Sequence, residues 1–138
     1  MDANDCIFCK IVSGQIPAAV VFQDEVVFAF LDIGPVSDGH TLVVPKEHID
    51  KFDRASPQLL GQVASRLAKI AAAIQKATGC EGYNILCNNG RAAGQVVNHL
   101  HFHIIPRKTG DGVIDRWPAY KYPAGAAEKI ADKIRKCL

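Results

Sequence analysis

A chain of 138 residues, of which 49% are hydrophobic and 22% charged, has material for one core and reads as a single domain over residues 1–138. The formal charge is +2, with acids and bases interspersed, which removes any electrostatic case for broad nucleic-acid or membrane binding. The acidic start, Met1-Asp2-Ala3-Asn4-Asp5, is followed by no long apolar run, so neither a leader nor a membrane span is expected. Five cysteines, Cys6, Cys9, Cys80, Cys87 and Cys137, are odd in number and unevenly spread. That fits a reducing compartment better than a disulfide framework, so a cytoplasmic location is expected, with nuclear presence compatible. Cys137 is second from the end and so does not form a prenylation box.

Asp5 is a good N-cap and predicts a short helix through Cys6-Ile7-Phe8-Cys9-Lys10-Ile11-Val12 that ends near Gly14. Ala18 to Gln23 and Val26 to Leu31 are apolar runs separated by Asp24-Glu25, and they predict a strand hairpin. Asp32 to Gly39 is rich in turn residues. His40 to Pro45 reads as a third strand, with Lys46 to Ile49 in the turn after it. Ser56-Pro57 opens the one long helix, because Ser caps and Pro suits the first helical position. Leu59, Leu60, Val63, Leu67, Ile70 and Ile74 recur along it at helical spacing, and Thr78-Gly79 closes it. Tyr83 to Asn88 predicts a fourth strand, and Asn89 to Gln95 a glycine-rich loop. Trp117 to Pro123 has no clear period, and Ala126 to Lys136 reads as a closing helix with Ile130 and Ile134 four apart. The order strand-strand-strand-helix-strand-strand, with mostly hairpin connections, gives an α+β class. One five-stranded antiparallel sheet is expected, with the long helix packed on its apolar face.

The fifth strand carries the chemistry. In Asn98-His99-Leu100-His101-Phe102-His103-Ile104-Ile105-Pro106 three of the five histidines alternate with apolar residues. Period-two alternation sends Leu100, Phe102 and Ile104 into a core and lines the opposite, open face with His99, His101 and His103. Residues two apart on a strand lie roughly 6.5–7 Å apart, so the outer pair is about 13 Å apart. A zinc–nitrogen bond is about 2.1 Å, so one metal cannot easily take all three, and the row is expected to divide its labour. Cys6-x-x-Cys9 has the spacing of half a zinc site. His40, His48 and an end of the triad are the histidines available to complete it, and Cys6, Cys9, His48 and His99 form one such set. Two core thiols on an amphipathic turn explain the pair equally well. If a metal holds His99, then His101 and His103 remain for reaction chemistry, and an imidazole with an aimed lone pair is a good nucleophile. The Gly90 to Gly94 loop can offer backbone N–H groups to phosphate, and Asp32 can accept from ribose hydroxyls. Together these suggest attack on phosphorus by His101.

His99-Leu100-His101-Phe102-His103-Ile104-Ile105 resembles, without a gap, the signature of the histidine triad (HIT) family. The resemblance runs from Cys6-Ile7-Phe8-Cys9-Lys10-Ile11 through Ile16-Pro17 and Gly39 to Ile49, as far as Pro106-Arg107, and is nearest to the Hint-type branch with a bacterial-style zinc site. It implies His101 as nucleophile toward the α-phosphorus of a nucleoside 5′-phosphoramidate, such as adenosine 5′-monophosphoramidate, through a nucleotidyl-histidine intermediate. It implies His103 at the phosphate or leaving group, and His40 as a fourth histidine orienting the triad. Asn88 and the backbone near Gly94 and Gln95 correspond to phosphate contacts, and Asp32 to the ribose-binding acid. Ile7, Phe8, Ile11, Phe30, Ile33 and Leu42 correspond to the residues that hold a purine ring. In zinc-bearing relatives the ligands correspond to Cys6, Cys9, His48 and His99. The implied partners are a purine nucleotide and a second copy of the chain in a homodimer with a continuous sheet; no organic cofactor, nucleic acid or membrane is implied.

Val96 stands where many Hint-type members have serine, and Asn98 where relatives often carry proline or an aromatic residue. Both bear on leaving-group preference, and neither removes the nucleophile. Three other readings compete with phosphoramidate hydrolysis: a dinucleoside polyphosphate hydrolase, for which Pro106-Arg107-Lys108 speaks; a nucleotide-binding adaptor or sensor with incidental hydrolysis; and a structural zinc protein. Trp117, Tyr120 and Tyr122 are expected on the leaving-group side, at a dimer interface, or simply packed on the sheet.

Overall fold

The sheet is built from β1 (Val20–Gln23), β2 (Val27–Leu31), β3 (Thr41–Pro45), β4 (Gly82–Leu86) and β5 (Phe102–Arg107). The order across it is β1-β2-β3-β5-β4, and every pairing is antiparallel. Three helices accompany it: α1 (Ile7–Val12), α2 (Pro57–Thr78) and α3 (Ala126–Arg135). The computed structural model describes residues 3–114 and 116–138. Met1 and Asp2, part of the acidic start, lie outside the described residues. Among the described residues no helix is long and apolar enough to cross a membrane.

The long helix begins and ends as its sequence dictates. The Ser56 hydroxyl accepts a hydrogen bond from the Leu59 N–H (3.1 Å), Pro57 takes the first helical position, and Gly79 closes the helix at φ +65°. That left-handed conformation carries no Cβ penalty in glycine. Its apolar stripe (Leu59, Val63, Leu67, Ile70, Ala71 and Ile74) buries against Val27, Ala29, Val43, Leu100, Phe102 and Ile104. Arg66, on the polar side, donates to Asp24 (2.6 Å) and Glu25 (3.0 Å), tying the helix to the β1–β2 turn.

β2 and β3 are buried on both faces, apart from Leu31 at the end of β2. Their continuous apolar runs have a simple cause, since something covers each side of the sheet. α2 covers one side. On the other, Phe28, Phe30, Leu42 and Val44 form a second apolar cluster with Cys6, Phe8 and Ile11 of the α1 segment. Cross-strand register puts His103 on that second face, level with Leu42 on one side and Leu86 on the other.

Five local expectations need correction. Asp5 is not the cap of α1: it ends a 3-10 turn over Ala3–Asp5, and Cys6 occupies the cap position without a side-chain cap bond. The third strand begins at Thr41, one residue after His40, and the fourth covers Gly82–Leu86. The fifth begins at Phe102, because the Leu100 N–H is drawn to the Ile49 carbonyl (2.6 Å) outside the sheet ladder. The histidine face is also not open. α1 lies over it, so His99 has no exposed surface and His101 is 6% exposed.

Gly39, just before β3, passes close to the C-terminal end of α2. Its φ is +90°, and a Cβ there would stand 2.9 Å from Thr78 Cγ2 and 3.3 Å from Pro106 Cγ. Gly39→Ala is expected to lower stability by about 2 kcal/mol or more through strain and overlap together, as read by urea unfolding. A change within experimental error would contradict the close packing of the β3 entrance.

Candidate active site and metal centre

A neutral imidazole has one proton, and the hydrogen-bond partners of His40, His101 and His103 assign it to one nitrogen of each ring. His101 Nδ1 lies 2.7 Å from the carbonyl oxygen of His99, so Nδ1 carries the hydrogen and donates. His101 Nε2 is left with a bare lone pair. His40 Nδ1 accepts from the Val36 N–H (3.2 Å), so its hydrogen sits on Nε2 and is donated to His103 Nδ1 at 2.9 Å. His103 therefore carries its own hydrogen on Nε2. Side by side, with ring centroids 5.2 Å apart, the row presents one acceptor, His101 Nε2, and one donor, His103 Nε2–H.

Burial keeps the row neutral. It pushes His40, His99, His101 and His103 below the ordinary histidine range, and His103, which also faces His101 and His40, falls to about 4. Phe8 closes over His101 edge to face, with centroids 5.1 Å apart. Asp32, beyond the end of β2, accepts from the Gly34 N–H (2.9 Å) through one oxygen and holds the other 3.5 Å from His40 Nε2.

The other constellation lies at the far end of the row. Cys6 Sγ is 3.4 Å and Cys9 Sγ 3.5 Å from His99 Nδ1, and Cys9 Sγ is 3.2 Å from His48 Nδ1. One donor atom from each of the four residues falls within 4.8 Å of the others. Tetrahedral zinc with bonds of about 2.3 Å to sulfur and 2.05 Å to nitrogen needs sulfur and nitrogen about 3.5 Å apart, so the spacing fits. The tautomer fits as well: His99 Nε2–H donates to the Pro45 carbonyl (2.8 Å), which turns a bare Nδ1 toward the thiols. Burial and the neighbouring Cys6 thiol push Cys9 up to about 11. Thiols packed this way give up their protons to a metal ion rather than to solvent. Cys6, Cys9, His48 and His99 thus meet in space, and they can hold a zinc ion in a closed site.

The remaining expected residues divide. Phe8, Ile11, Phe30 and Leu42 are buried in the cluster under α1, while Ile7 is 45% exposed and Ile33 fully exposed next to Asp32. Asn88 is half-buried against Gly94, where a Cβ would stand 3.4 Å from its Nδ2. The Gly94 and Gln95 N–H groups turn inward, to Arg91 O (3.0 Å) and Gly90 O (3.1 Å). The Gln95 side chain braces the loop: Oε1 accepts from the Gly90 N–H (2.7 Å), and Nε2 donates to Asp50 O (2.6 Å) and Val97 O (3.1 Å). Val96 is 89% exposed, and Trp117 and Tyr120 stand largely in solvent. Sequence reasoning missed the carbonyls of Pro45, His99 and Ile49 and the Val36 N–H. These are backbone groups, and no side-chain pattern announces them.

The half-buried, neutral His103 has a consequence for stability. Between the unfolded value near 6.5 and the folded value of about 4, the unfolded chain binds more protons, so stability falls as pH drops through that window. His103→Gln is expected to flatten this limb, measured by urea unfolding at about pH 7 and about pH 4.5. An unchanged limb would contradict a neutral, half-buried His103.

The HIT domain family matches residues 13–110. An uncharacterized HIT-like protein of Methanocaldococcus jannaschii is 53% identical over 84% of this chain and 89% of its own length. The adenosine 5′-monophosphoramidase hnt1 of Schizosaccharomyces pombe is 42% identical over 94% of this chain and 98% of its own. A crystal structure of a HIT-family protein from Bacillus subtilis superposes with a TM-score of 0.89 at 42% identity, covering 97% of each chain. A zinc-bound histidine triad family protein from Mycobacterium smegmatis superposes at 0.77 with 38% identity, covering 86% of each. The triad, its fold and its relatives converge: this chain belongs to the HIT family.

Proposed function

We propose that this protein, a hydrolase of its family acting at nucleotide phosphorus, cleaves nucleoside 5′-phosphoramidates such as adenosine 5′-monophosphoramidate through a nucleotidyl group on His101. The observation that carries this reading is the bare Nε2 of His101, fixed by the 2.7 Å bond from Nδ1 to the His99 carbonyl. The relative named as an adenosine 5′-monophosphoramidase supports the substrate class.

In the first step the Nε2 lone pair forms a bond to the α-phosphorus and the bond from phosphorus to the amine nitrogen breaks. The departing nitrogen takes up one proton. In the second, water oxygen bonds to phosphorus, the histidine–phosphorus bond breaks, and water returns the proton that was spent. Imidazole suits both roles because it attacks well and leaves well. Nδ1–H stays on the His99 carbonyl throughout, where it meets the positive charge that the ring acquires on attack. His103 Nε2–H faces the phosphoryl oxygens or the departing nitrogen, and the hydrogen-bond chain from Val36 through His40 holds it in that tautomer. Such chemistry asks mainly for positioning and charge stabilisation.

For the nucleoside, Asp32 is assigned to the ribose hydroxyls. Phe8, Ile11, Phe30 and Leu42, with the exposed Ile7 and Ile33, are assigned to the purine. Asn88 and the loop at Gly94 and Gln95 are assigned to the phosphate; the inward Gly94 and Gln95 N–H groups leave Asn88 as the side-chain donor there. Arg107, which spoke for the dinucleoside polyphosphate branch, is engaged with Asp111, Asn84 and the Ile114 carbonyl, an arrangement that favours the phosphoramidate reading. A zinc ion held by Cys6, Cys9, His48 and His99 would supply a cross-link and no open coordination position. The assembly we assign is a homodimer with a sheet continuous across the interface; the outer edge of β4, with Tyr83 and Ile85 exposed, is the candidate seam.

His101→Ala is expected to abolish turnover and to leave adenosine monophosphate binding within about threefold, because the lesion is chemical and not steric. The check is a kinetic panel of adenosine and guanosine phosphoramidates against dinucleoside polyphosphates, with binding followed by calorimetry. Undiminished hydrolysis in the variant would refute the mechanism, and a preference for dinucleoside polyphosphates would refute the substrate class.

A further inference from the structure

The proposed nucleophile and the metal cluster share one peptide unit. A trans peptide is planar, with its C=O and N–H pointing in opposite directions. In the His99–Leu100 peptide the C=O accepts from His101 Nδ1–H at 2.7 Å. The N–H of the same unit donates to the Ile49 carbonyl at 2.6 Å. Ile49 directly follows His48, whose Nδ1 is 3.2 Å from Cys9 Sγ. His99 is fixed in turn through its side chain, with Nε2–H on Pro45 O and Nδ1 against both thiols. Both ends of this peptide are therefore anchored by residues of the cluster, His99 itself on one side and the His48–Ile49 segment on the other.

The second contact on the His101 ring leads to the same place. Phe8 sits between Cys6 and Cys9 in sequence and meets the His101 ring edge to face at 5.1 Å, and the His99 ring at 5.9 Å. α1 has six residues and no side-chain cap bond at its start, so little in the helix itself holds it in place. Its position over the sheet rests on the two cysteines and on the apolar contacts of Phe8 and Ile11.

We propose that Cys6, Cys9, His48 and His99 are positioning residues for the reaction as well as a structural clasp: with metal bound they hold the His99–Leu100 peptide and Phe8, and through them fix the tautomer and direction of the His101 ring. Without metal, His99 and α1 lose their common anchor. The His101 ring then gains access to the other tautomer and to other orientations, while Asp32 and the residues of β2 and β3 stay in place. The signature is a loss in kcat that exceeds the loss in nucleotide affinity, since Phe8 and Ile11 of α1 also serve the purine while Asp32, Phe30 and Leu42 keep their places. This inference rests on His101 being the nucleophile, and the readouts below separate the two claims.

The experiment compares wild type, Cys9→Ser and Cys9→His by metal analysis, by 15N NMR of the His101 ring, by calorimetric binding of adenosine monophosphate, and by kcat on adenosine 5′-monophosphoramidate. Wild type is expected to carry one zinc per chain and a single Nδ1–H tautomer at His101. Cys9→Ser is expected to lose the zinc, to show mixed tautomers, and to lose kcat by about tenfold or more, with a clearly smaller loss in affinity. Cys9→His, which restores four ligands, is expected to recover zinc, tautomer and most of kcat. If Cys9→Ser does not fold, His48→Ala keeps three ligands and lets buffered zinc set the occupancy, and the His101 signal must follow it. Zinc-free protein with a wild-type His101 signal overturns the inference, as does wild type that carries no zinc. An absence of phosphoramidate hydrolysis in wild type would refute the functional reading, and the NMR arm would still decide the coupling.

Discussion

His99 and His101 are buried and His103 half-buried, all three neutral, so each has one proton to place, and the fold decides where it goes. That constraint governs the rest of the site. His99 gives its proton to Pro45 and faces the thiols with a lone pair. His101 gives its proton to the carbonyl of His99 and faces the active-site side with a lone pair. His103 receives a hydrogen bond from His40 and keeps its own proton outward. Three residues of one type, two apart, present three different hydrogen-bonding faces because each has a different backbone or side-chain partner. No charge difference among them is needed, and burial suppresses the mutual repulsion that protonation would bring.

The neutrality itself depends on α1. A sheet packed only against α2 would leave the histidines in water, near their ordinary pKa and free to choose tautomers. The short N-terminal helix, with Phe8 and Ile11 pressed onto Phe28, Phe30, Leu42 and Val44, converts that face into a second core. Six residues are too few to be stable alone. The apolar contacts and the Cys6–Cys9–His48–His99 cluster therefore carry the cost of keeping α1 in place. Stability and chemistry meet at one end of the sheet, and His99 belongs to both.

Much of this was legible in the chain. The Ser56-Pro57 start, the stripe from Leu59 to Ile74 and Gly79 define α2 because capping and helical spacing are local properties. The alternation from His99 to Ile104 correctly sends Leu100, Phe102 and Ile104 toward α2. The buried character of the opposite face was also written in the sequence, in the unbroken apolar runs of β2 and β3, but alternation in the histidine segment concealed it. The Cys6-x-x-Cys9 spacing marked half a cluster; which histidines completed it was a matter of tertiary register, with His48 and His99 arriving from separate turns. The proton assignments were beyond reach. Pro45, Ile49, His99 and Val36 act through backbone atoms, whose partners are set by the path of the chain and leave no trace in residue type. Asp5 misled for a local reason: it closes a 3-10 turn of its own, so the cap position falls to Cys6, whose sulfur lies 3.4 Å from His99 Nδ1.

Two displacements at one phosphorus leave a stereochemical record that depends on neither affinity nor rate. Hydrolysis of an adenosine phosphoramidate made chiral at the α-phosphorus with sulfur and isotopic oxygen tests the lone pair of His101 as nucleophile directly. Two in-line steps, one to histidine and one from it, predict overall retention of configuration. Inversion would mean a single attack by water, and would contradict the role assigned here to the middle histidine.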